Sequence, residues 1–245
     1  MTEAITIRNV TKQYVEGTGG TLALDRVDLS VQRGEVVLMM GPSGSGKTTL
    51  LSIMGCILRP TSGQALLEGV DVTAMAEKDL PAMRLKHIGF VFQGFNLFPT
   101  LTAGENVELS LGLKGVRGRE AKDEARRLLE LVGIGEKYNS YPTDISGGQK
   151  QRVAIARAVA GSPGSILADE PTAALDTHTG RSVVEMMASL AHRENRAVVI
   201  VTHDSRLADF ADRIVHLEDG RIANDGPEST LLPHSFAKNS TEIRP

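Results

Sequence analysis

A short, uninterrupted apolar run followed directly by a glycine-rich turn constrains the fold of this chain most. Residues 35–40 read EVVLMM, residues 41–49 read GPSGSGKTT, and a helix-forming run over 47–58 follows. Continuous apolar runs of this length are typical of strands buried on both faces of a parallel sheet. The sequence therefore predicts a strand–turn–helix unit and an α/β fold.

The glycine-rich turn has the composition that phosphate binding requires. It fits the spacing G-x-x-x-x-G-K-[ST], with a lysine that can meet the β- and γ-phosphates and a threonine hydroxyl suited to Mg²⁺. Glycines let backbone N–H groups face a dense anion, and the helix that begins at Lys47 adds its positive end. We predict that triphosphate binds these residues: Gly41, Pro42, Ser43, Gly44, Ser45, Gly46, Lys47, Thr48 and Thr49.

Three further motifs follow in order along the chain. ISGGQKQR at 145–152 opens a helix with Ser146 as N-cap, and its glycines expose a second anion-binding helix start. SILADE at 165–170 ends in Asp169, which can reach Mg²⁺, and Glu170, which can polarise a water. VVIVTH at 198–203 ends in His203. Each motif alone is more often an ordinary cap, an exposed acid pair or a structural histidine, but their joint order favours nucleotide hydrolysis.

With these motifs, residues 4–226 resemble the ATP-binding subunit of ABC transporters. The resemblance implies ATP and Mg²⁺ as cofactors, and further residues with roles. Tyr14 in TKQYVEG would stack on adenine, Gln93 in FVFQGFNLFP would sense Mg²⁺ and the partner subunit, and Asp176 in AALD would contact a second copy. His203 would contact the γ-phosphate.

The implied site falls into three groups. The catalytic group is Glu170, His203 and Gln93; the metal group is Thr48, Gln93 and Asp169; the group that binds the other copy's nucleotide is Ser146, Gly147, Gly148 and Gln149, with Asp176 beside it. Ala174, Ile145 and Lys150 stand where the family frequently has Ser, Leu and Gln. None of these departures removes a reactive group.

The resemblance also implies an architecture: a P-loop ATPase α/β core over 1–93 and 159–226, an antiparallel β subdomain from the N-terminal region, and a helical subdomain near 94–158 that carries Ser146. Residues 227–245 are polar and proline-bearing, and we predict a weakly ordered tail. Because the chain has one set of motifs, it should form a head-to-tail dimer on ATP. Lys47 of one copy and Ser146 of the other would then close each site.

The amino-acid composition limits the kinds of partner that this chain is expected to bind. Lys plus Arg is 27 and Asp plus Glu is 30, a net charge of −3, and aromatic residues make up 4% with no Trp. This balance argues against a nucleic-acid partner. A single cysteine, Cys56, the absence of a signal-peptide pattern and short apolar runs indicate a cytoplasmic protein.

The sequences of these motifs are most similar to those of ATP-binding subunits that serve macrolide export, lipoprotein release and heterocyst-type glycolipid export. This similarity implies a separate integral membrane permease, with the chain peripheral on the cytoplasmic face of the inner membrane. Two alternatives stay open: an ABC ATPase that signals through a permease-like partner in cell division without moving cargo, and a non-transport ABC ATPase. A nucleotide kinase is disfavoured because it has no use for SGGQ.

The segment after Gln93 is a candidate permease contact. It places four large apolar residues (Phe95, Leu97, Phe98 and Leu101) within turn-rich text that Pro99 and Gly104 interrupt, so they cannot share one helical face. We expect about half of them to pack into the domain's core. The others would form an exposed apolar notch of the kind that marks an interaction site.

Overall fold

Two β-sheets and six α-helices account for most of residues 2–16 and 19–226, which the computed structural model describes. The strands are β1 Glu3–Glu16, β2 Gly19–Gln32, β3 Val36–Met40, β4 Ser62–Leu67, β5 Val70–Asp71, β6 Ile88–Val91, β7 Ser165–Asp169, β8 Ala197–Val201, β9 Arg213–Glu218 and β10 Arg221–Gly226. The helices are α1 Lys47–Met54, α2 Leu80–His87, α3 Ala103–Leu113, α4 Gly118–Leu131, α5 Gly147–Val159 and α6 Thr177–Glu194. Short 3₁₀ helices lie at Glu77–Asp79, Gly135–Lys137, Pro142–Asp144 and Ser205–Phe210.

The central sheet has six strands in the order β10-β9-β3-β8-β7-β6. All neighbouring strands in it are parallel except β9 and β10. Every residue of β3 and β8 is buried, which explains why both read as continuous apolar runs. The carboxyl ends of β3, β7 and β8 meet at one edge of the sheet, and the α/β expectation is confirmed.

The second sheet is antiparallel and built from the N-terminal region, in the order β2-β1-β4-β5. Its inner face shares one hydrophobic cluster with the central sheet and α1, in which Ile5 and Leu24 join Met39 and Leu50. All four side chains are at most 1% exposed. The antiparallel part that the family resemblance implied is therefore confirmed, and its packing on α1 holds β1 and β2 beside the glycine-rich turn.

Helices α3, α4 and α5 pack on one another, and the stretch 94–158 contains no strand. They share a second hydrophobic cluster with α6 and the other face of the central sheet, including Val107, Leu128 and Ile155. Arg152 of α5 donates hydrogen bonds to the Val132 carbonyl at 2.6 Å and to Ser182 of α6 at 2.7 Å. These contacts connect the helical part to the region around α6.

Several element boundaries differ from the sequence prediction. The helix expected over 47–58 ends at Met54, because Cys56 adopts a left-handed conformation (φ 55°) and turns the chain. The structure also has a strand, β6, for which the sequence analysis makes no prediction. Strands β9 and β10 form an antiparallel hairpin, in which Asp219 and Gly220 both have positive φ, as a tight two-residue turn requires.

The predicted tail at 227–245 lies outside the described residues. Among the residues that the structure does describe, no helix combines the length and apolarity needed to cross a membrane.

Candidate nucleotide site

The phosphate-loop motif, the acid pair and the strand-end histidine line one cavity of about 510 Å³ at the carboxyl edge of the central sheet. This is the edge at which open α/β sheets bind ligands. The lining residues are Ala23, Gly41, Ser43, Gly44, Gly46, Lys47, Thr48, Thr49, Gln93, Asp169, Glu170, Val201 and His203. Sequence motifs up to 162 residues apart are thus brought together.

The Lys47 ammonium is held by the loop itself. The side chain is 8% exposed, and Nζ donates hydrogen bonds to the carbonyls of Gly41 at 2.8 Å and Pro42 at 2.6 Å. Burial lowers the pKa of Lys47, while the nearby carboxylates of Glu170 and Asp169 oppose that shift. Nζ also donates to the Ser45 hydroxyl at 3.4 Å, so all its hydrogen-bond partners are neutral oxygen atoms, and such a charge is suited to an anionic ligand.

Gly46 shows why the turn needs glycine. Its φ is 101°, and a Cβ at this position would lie 2.4 Å from the Ala23 carbonyl oxygen. It serves as N-cap of α1 without any side-chain cap bond. The first backbone N–H groups of α1 therefore have no side-chain acceptor at the N-cap, as phosphate binding requires.

Thr48 and Asp169 present adjacent oxygen atoms. The Thr48 hydroxyl donates to Asp169 Oδ1 at 3.3 Å. Burial raises the pKa of the Asp169 carboxyl, the Thr48 hydrogen bond opposes this, and neighbouring Glu170 adds to it. A hydroxyl beside a half-buried carboxylate is an oxygen donor set that fits Mg²⁺, which keeps its remaining positions for water and phosphate.

Glu170 has a strained backbone and a free oxygen atom. Its φ is 48°, unusual for a residue with a side chain, and its N–H donates to the Val201 carbonyl at 2.9 Å. Oε1 lies 2.9 Å from Nδ1 of His203. Oε2 is buried and has no hydrogen-bond partner among the described residues, so it can accept a proton from a bound molecule.

Tyr14 lies at the rim of the cavity. Its hydroxyl is 3.5 Å from the hydroxyl of Thr49, its ring is 39% exposed, and Lys12 Nζ lies 5.2 Å from the ring centroid. An exposed aromatic ring next to the phosphate loop is free to stack on a flat base. Gln93 is also exposed and lines the cavity directly.

The SGGQ residues lie outside this cavity and form a second cluster. Ser146 caps α5 through a complete capping box: its hydroxyl accepts from Gln149 N–H at 3.3 Å, and the Gln149 side chain accepts from Ser146 N–H at 3.0 Å. A Cβ at Gly148 would lie 2.3 Å from Thr179 Cγ2. The start of α5 therefore packs directly on the first turn of α6.

Asp176 belongs to the same second cluster. It is the N-cap of α6, and its Oδ1 accepts a hydrogen bond from Thr179 N–H at 3.0 Å. Ala174 and Leu175 lie close to Gly147, since a Cβ there would be 3.6 Å from atoms of each. The structure thus joins Asp176 to the SGGQ turn and separates both from the lining of the Lys47 cavity.

Arg157 supports the loop after Gln93, and the sequence analysis did not identify it. It donates hydrogen bonds to the carbonyls of Phe95, at 2.8 Å, and Asn96. Burial lowers the pKa of its guanidinium. Arg157 thereby holds the loop that follows Gln93, and its only signal in the sequence is a lone arginine in the apolar stretch VAIARAVA.

Residues 24–173 match the family described as ABC transporter. The chain belongs to that family. A lipoprotein-releasing system ATP-binding protein LolD from Bacteroides thetaiotaomicron is 43% identical, with 90% of this chain and all of LolD covered. A macrolide export ATP-binding/permease protein MacB from Brucella melitensis is 40% identical over 98% of this chain but only 38% of MacB.

The ATP-binding cassette MJ0796 supplies a solved structure of a similar chain. That structure is described as a dimer in a post-hydrolysis state bound to ADP and Pi. It superposes on this chain with a TM-score of 0.84 and 42% sequence identity, covering 91% of this chain and 98% of MJ0796. The ABC ATPase fold is therefore confirmed, as is the resemblance to the macrolide-export and lipoprotein-release group.

Proposed function

We propose that this chain is the ATP-hydrolysing subunit of an export or lipoprotein- or lipid-release transporter, and that it dimerises on MgATP to drive a separate permease. The observation that carries the proposal is the convergence of Lys47, Thr48, Asp169, Glu170 and His203 on one cavity. The relatives named for macrolide export and lipoprotein release support the transport class.

Within the cavity each side chain has a distinct task. Lys47 would exchange its loop carbonyls for phosphate oxygens, and Glu170 Oε2 would accept the proton of the attacking water. His203, held at Glu170, would contact the γ-phosphate. Mg²⁺ bound by Thr48 and Asp169 oxygen atoms would neutralise charge on the phosphates.

The second cluster supports a composite dimer. Ser146, Gly147, Gly148 and Gln149 form a helix start that lies outside the chain's own cavity, so it is available to a nucleotide held by another copy. Asp176 sits beside it and would contact that copy. The dimeric MJ0796 structure, bound to ADP and Pi, is consistent with this arrangement.

An apolar surface next to Gln93 supports a permease contact. Phe98 is 50% exposed and Leu113 is 67% exposed. Leu113 also lines a cleft of about 240 Å³ together with Phe92 and Asn96. Of the four apolar residues after Gln93, Phe98 is exposed and the other three are partly buried, with Leu97 packed on the main core. A permease docked here would place the chain at the cytoplasmic face of the membrane.

Purification of the native complex tests this function. We expect an integral membrane permease to co-purify, and Phe98→Asp to leave ATP binding intact while weakening co-purification. Val70→Asp is a matched control, because Val70 is a similarly exposed apolar residue (46%) on β5, in the other sheet. Equal recovery of the permease with both variants would move the contact elsewhere, and a nucleic-acid partner would overturn the transport assignment.

A further inference from the structure

Arg206 makes an unusual set of contacts just after His203. Its Nε and Nη2 atoms donate to the two carboxylate oxygens of Asp204, both at 2.8 Å, and this bonding lowers the pKa of Asp204. Its third nitrogen, Nη1, donates to the hydroxyl of Thr177 at 3.0 Å. One guanidinium therefore joins the segment after β8 to the first residue of α6.

A second arginine ties the same two segments from the other direction. Arg181 of α6 donates to the Arg206 carbonyl at 2.9 Å and to Asp209 at 3.3 Å. Together, these segments enclose a cavity of about 140 Å³ that Glu170, Asp176 and His203 also line. These contacts thus lie between His203, which we propose contacts the γ-phosphate, and Asp176, which we propose contacts the second copy.

His203 needs such support. Its side chain is 74% exposed and is held by one hydrogen bond to Glu170. It stands beyond the end of β8, where the sheet no longer orders the chain. Because small displacements of a positioned group lower reaction rates steeply, the placement of this loop matters for turnover.

We propose that Arg206 is a positioning residue that couples the His203 loop to the Asp176 segment, so that docking of the second copy at Asp176 orders His203. The inference rests on the proposed ATPase function. Arg206 acts through its hydrogen bond to Thr177 and its ion pair with Asp204, and it does not touch the nucleotide. A change at Arg206 should therefore affect turnover while leaving nucleotide affinity unaltered.

The test compares steady-state ATP hydrolysis and ADP affinity in the wild-type chain and in variants at both ends of the contact. Arg206→Ala and Thr177→Val should each lower kcat about three- to fivefold, the size expected for an exposed ion pair or hydrogen bond. ADP affinity should not change, because ADP lacks the γ-phosphate. Thr177→Ser keeps the hydroxyl and should restore wild-type kcat.

Two further variants separate coupling from a general structural effect. Arg206→Ala combined with Thr177→Val should lose no more than Arg206→Ala alone, since the bond that Thr177→Val removes is already absent in Arg206→Ala. Arg127→Ala is the matched control, because Arg127 forms a comparable two-pronged pair with Glu124 (2.7 Å each) on α4. Its kcat should equal that of the wild type.

The outcomes distinguish this inference from the function on which it rests. An unchanged kcat in Arg206→Ala, additive losses in the double variant, or equal losses in Thr177→Ser and Arg127→Ala would each overturn the coupling role while leaving the ATPase intact. Absence of turnover in the wild-type chain would overturn both. A loss in Arg206→Ala and Thr177→Val, with rescue by Thr177→Ser, would support the inference.

Discussion

Two helix starts in this protein carry sequences that we predict bind phosphate, and the two starts are capped in opposite ways. The start of α1 is capped by Gly46, which offers no side-chain acceptor. The start of α5 is capped by Ser146 in a complete capping box with Gln149. Because unsatisfied N–H groups at a helix start attract anions, the start of α1 is suited to bind an anionic ligand in the chain's own cavity.

The start of α5 is stable without a ligand. Its capping box satisfies two backbone N–H groups, and its glycines rest on the first turn of α6. It can therefore stay ordered while it faces away from the cavity that holds Lys47. From this difference we infer that the start of α1 binds the chain's own nucleotide. The start of α5 would recognise a nucleotide that is bound by a second copy.

The largest expected effect is a loss of ATP turnover in the cavity beside the start of α1, which Glu170 also lines. Glu170→Gln keeps the shape of the side chain and removes the proton acceptor, so turnover should fall by about 10²–10⁴-fold. ATP binding should persist, because the phosphate loop is unchanged. Phosphate release measured at saturating ATP checks this, and normal release would show that Glu170 is structural and that the base lies elsewhere.

Lys47→Ala should weaken binding itself. The variant removes a charge that faces the phosphates, and loss of a hydrogen bond to a charged group corresponds to about 10- to 100-fold in affinity. We also expect turnover to be lost. Calorimetric titration with MgATP measures the affinity, and wild-type hydrolysis in the folded variant would contradict the assignment of this loop.

The smallest expected effect separates the capping role of Ser146 from its proposed role in ATP hydrolysis. Ser146→Ala and Thr102→Ala each remove a capping-box hydroxyl, from α5 and α3 respectively. Each should lower the free energy of unfolding by about 1 kcal/mol, as measured by denaturant titration. Only Ser146→Ala should also lower ATPase activity. Equal activity in the two variants would mean that Ser146 is a cap and nothing more.

The sequence predicts the parts of the site that local chemistry determines. Lys47 opens the helix after β3, Asp169 ends β7, and His203 follows the end of β8 by two residues. A motif at a strand end therefore places its side chain at the sheet edge. The α/β core is predicted for the same reason, whereas the antiparallel N-terminal part is implied by the resemblance to ABC transporters. Apolar runs and turn residues report the strands directly.

Contacts between distant segments are not predicted. Gly148 meets Thr179, Arg157 holds the Phe95 loop, and Arg206 meets Thr177. In each pair the partners lie about 30 residues apart or more, and neither side has a local pattern that names the other. The early end of α1 was missed for a related reason, since Cys56 carries no turn signature yet takes a left-handed conformation.

Solution mass as a function of nucleotide tests the central claim most directly. Glu170→Gln protein should be a monomer without nucleotide and a dimer with ATP, as measured by light scattering. Adding Ser146→Arg, which places bulk and positive charge at the start of α5, should return it to a monomer while ATP stays bound. A dimer that persists without nucleotide, or that the arginine leaves intact, would contradict the composite site.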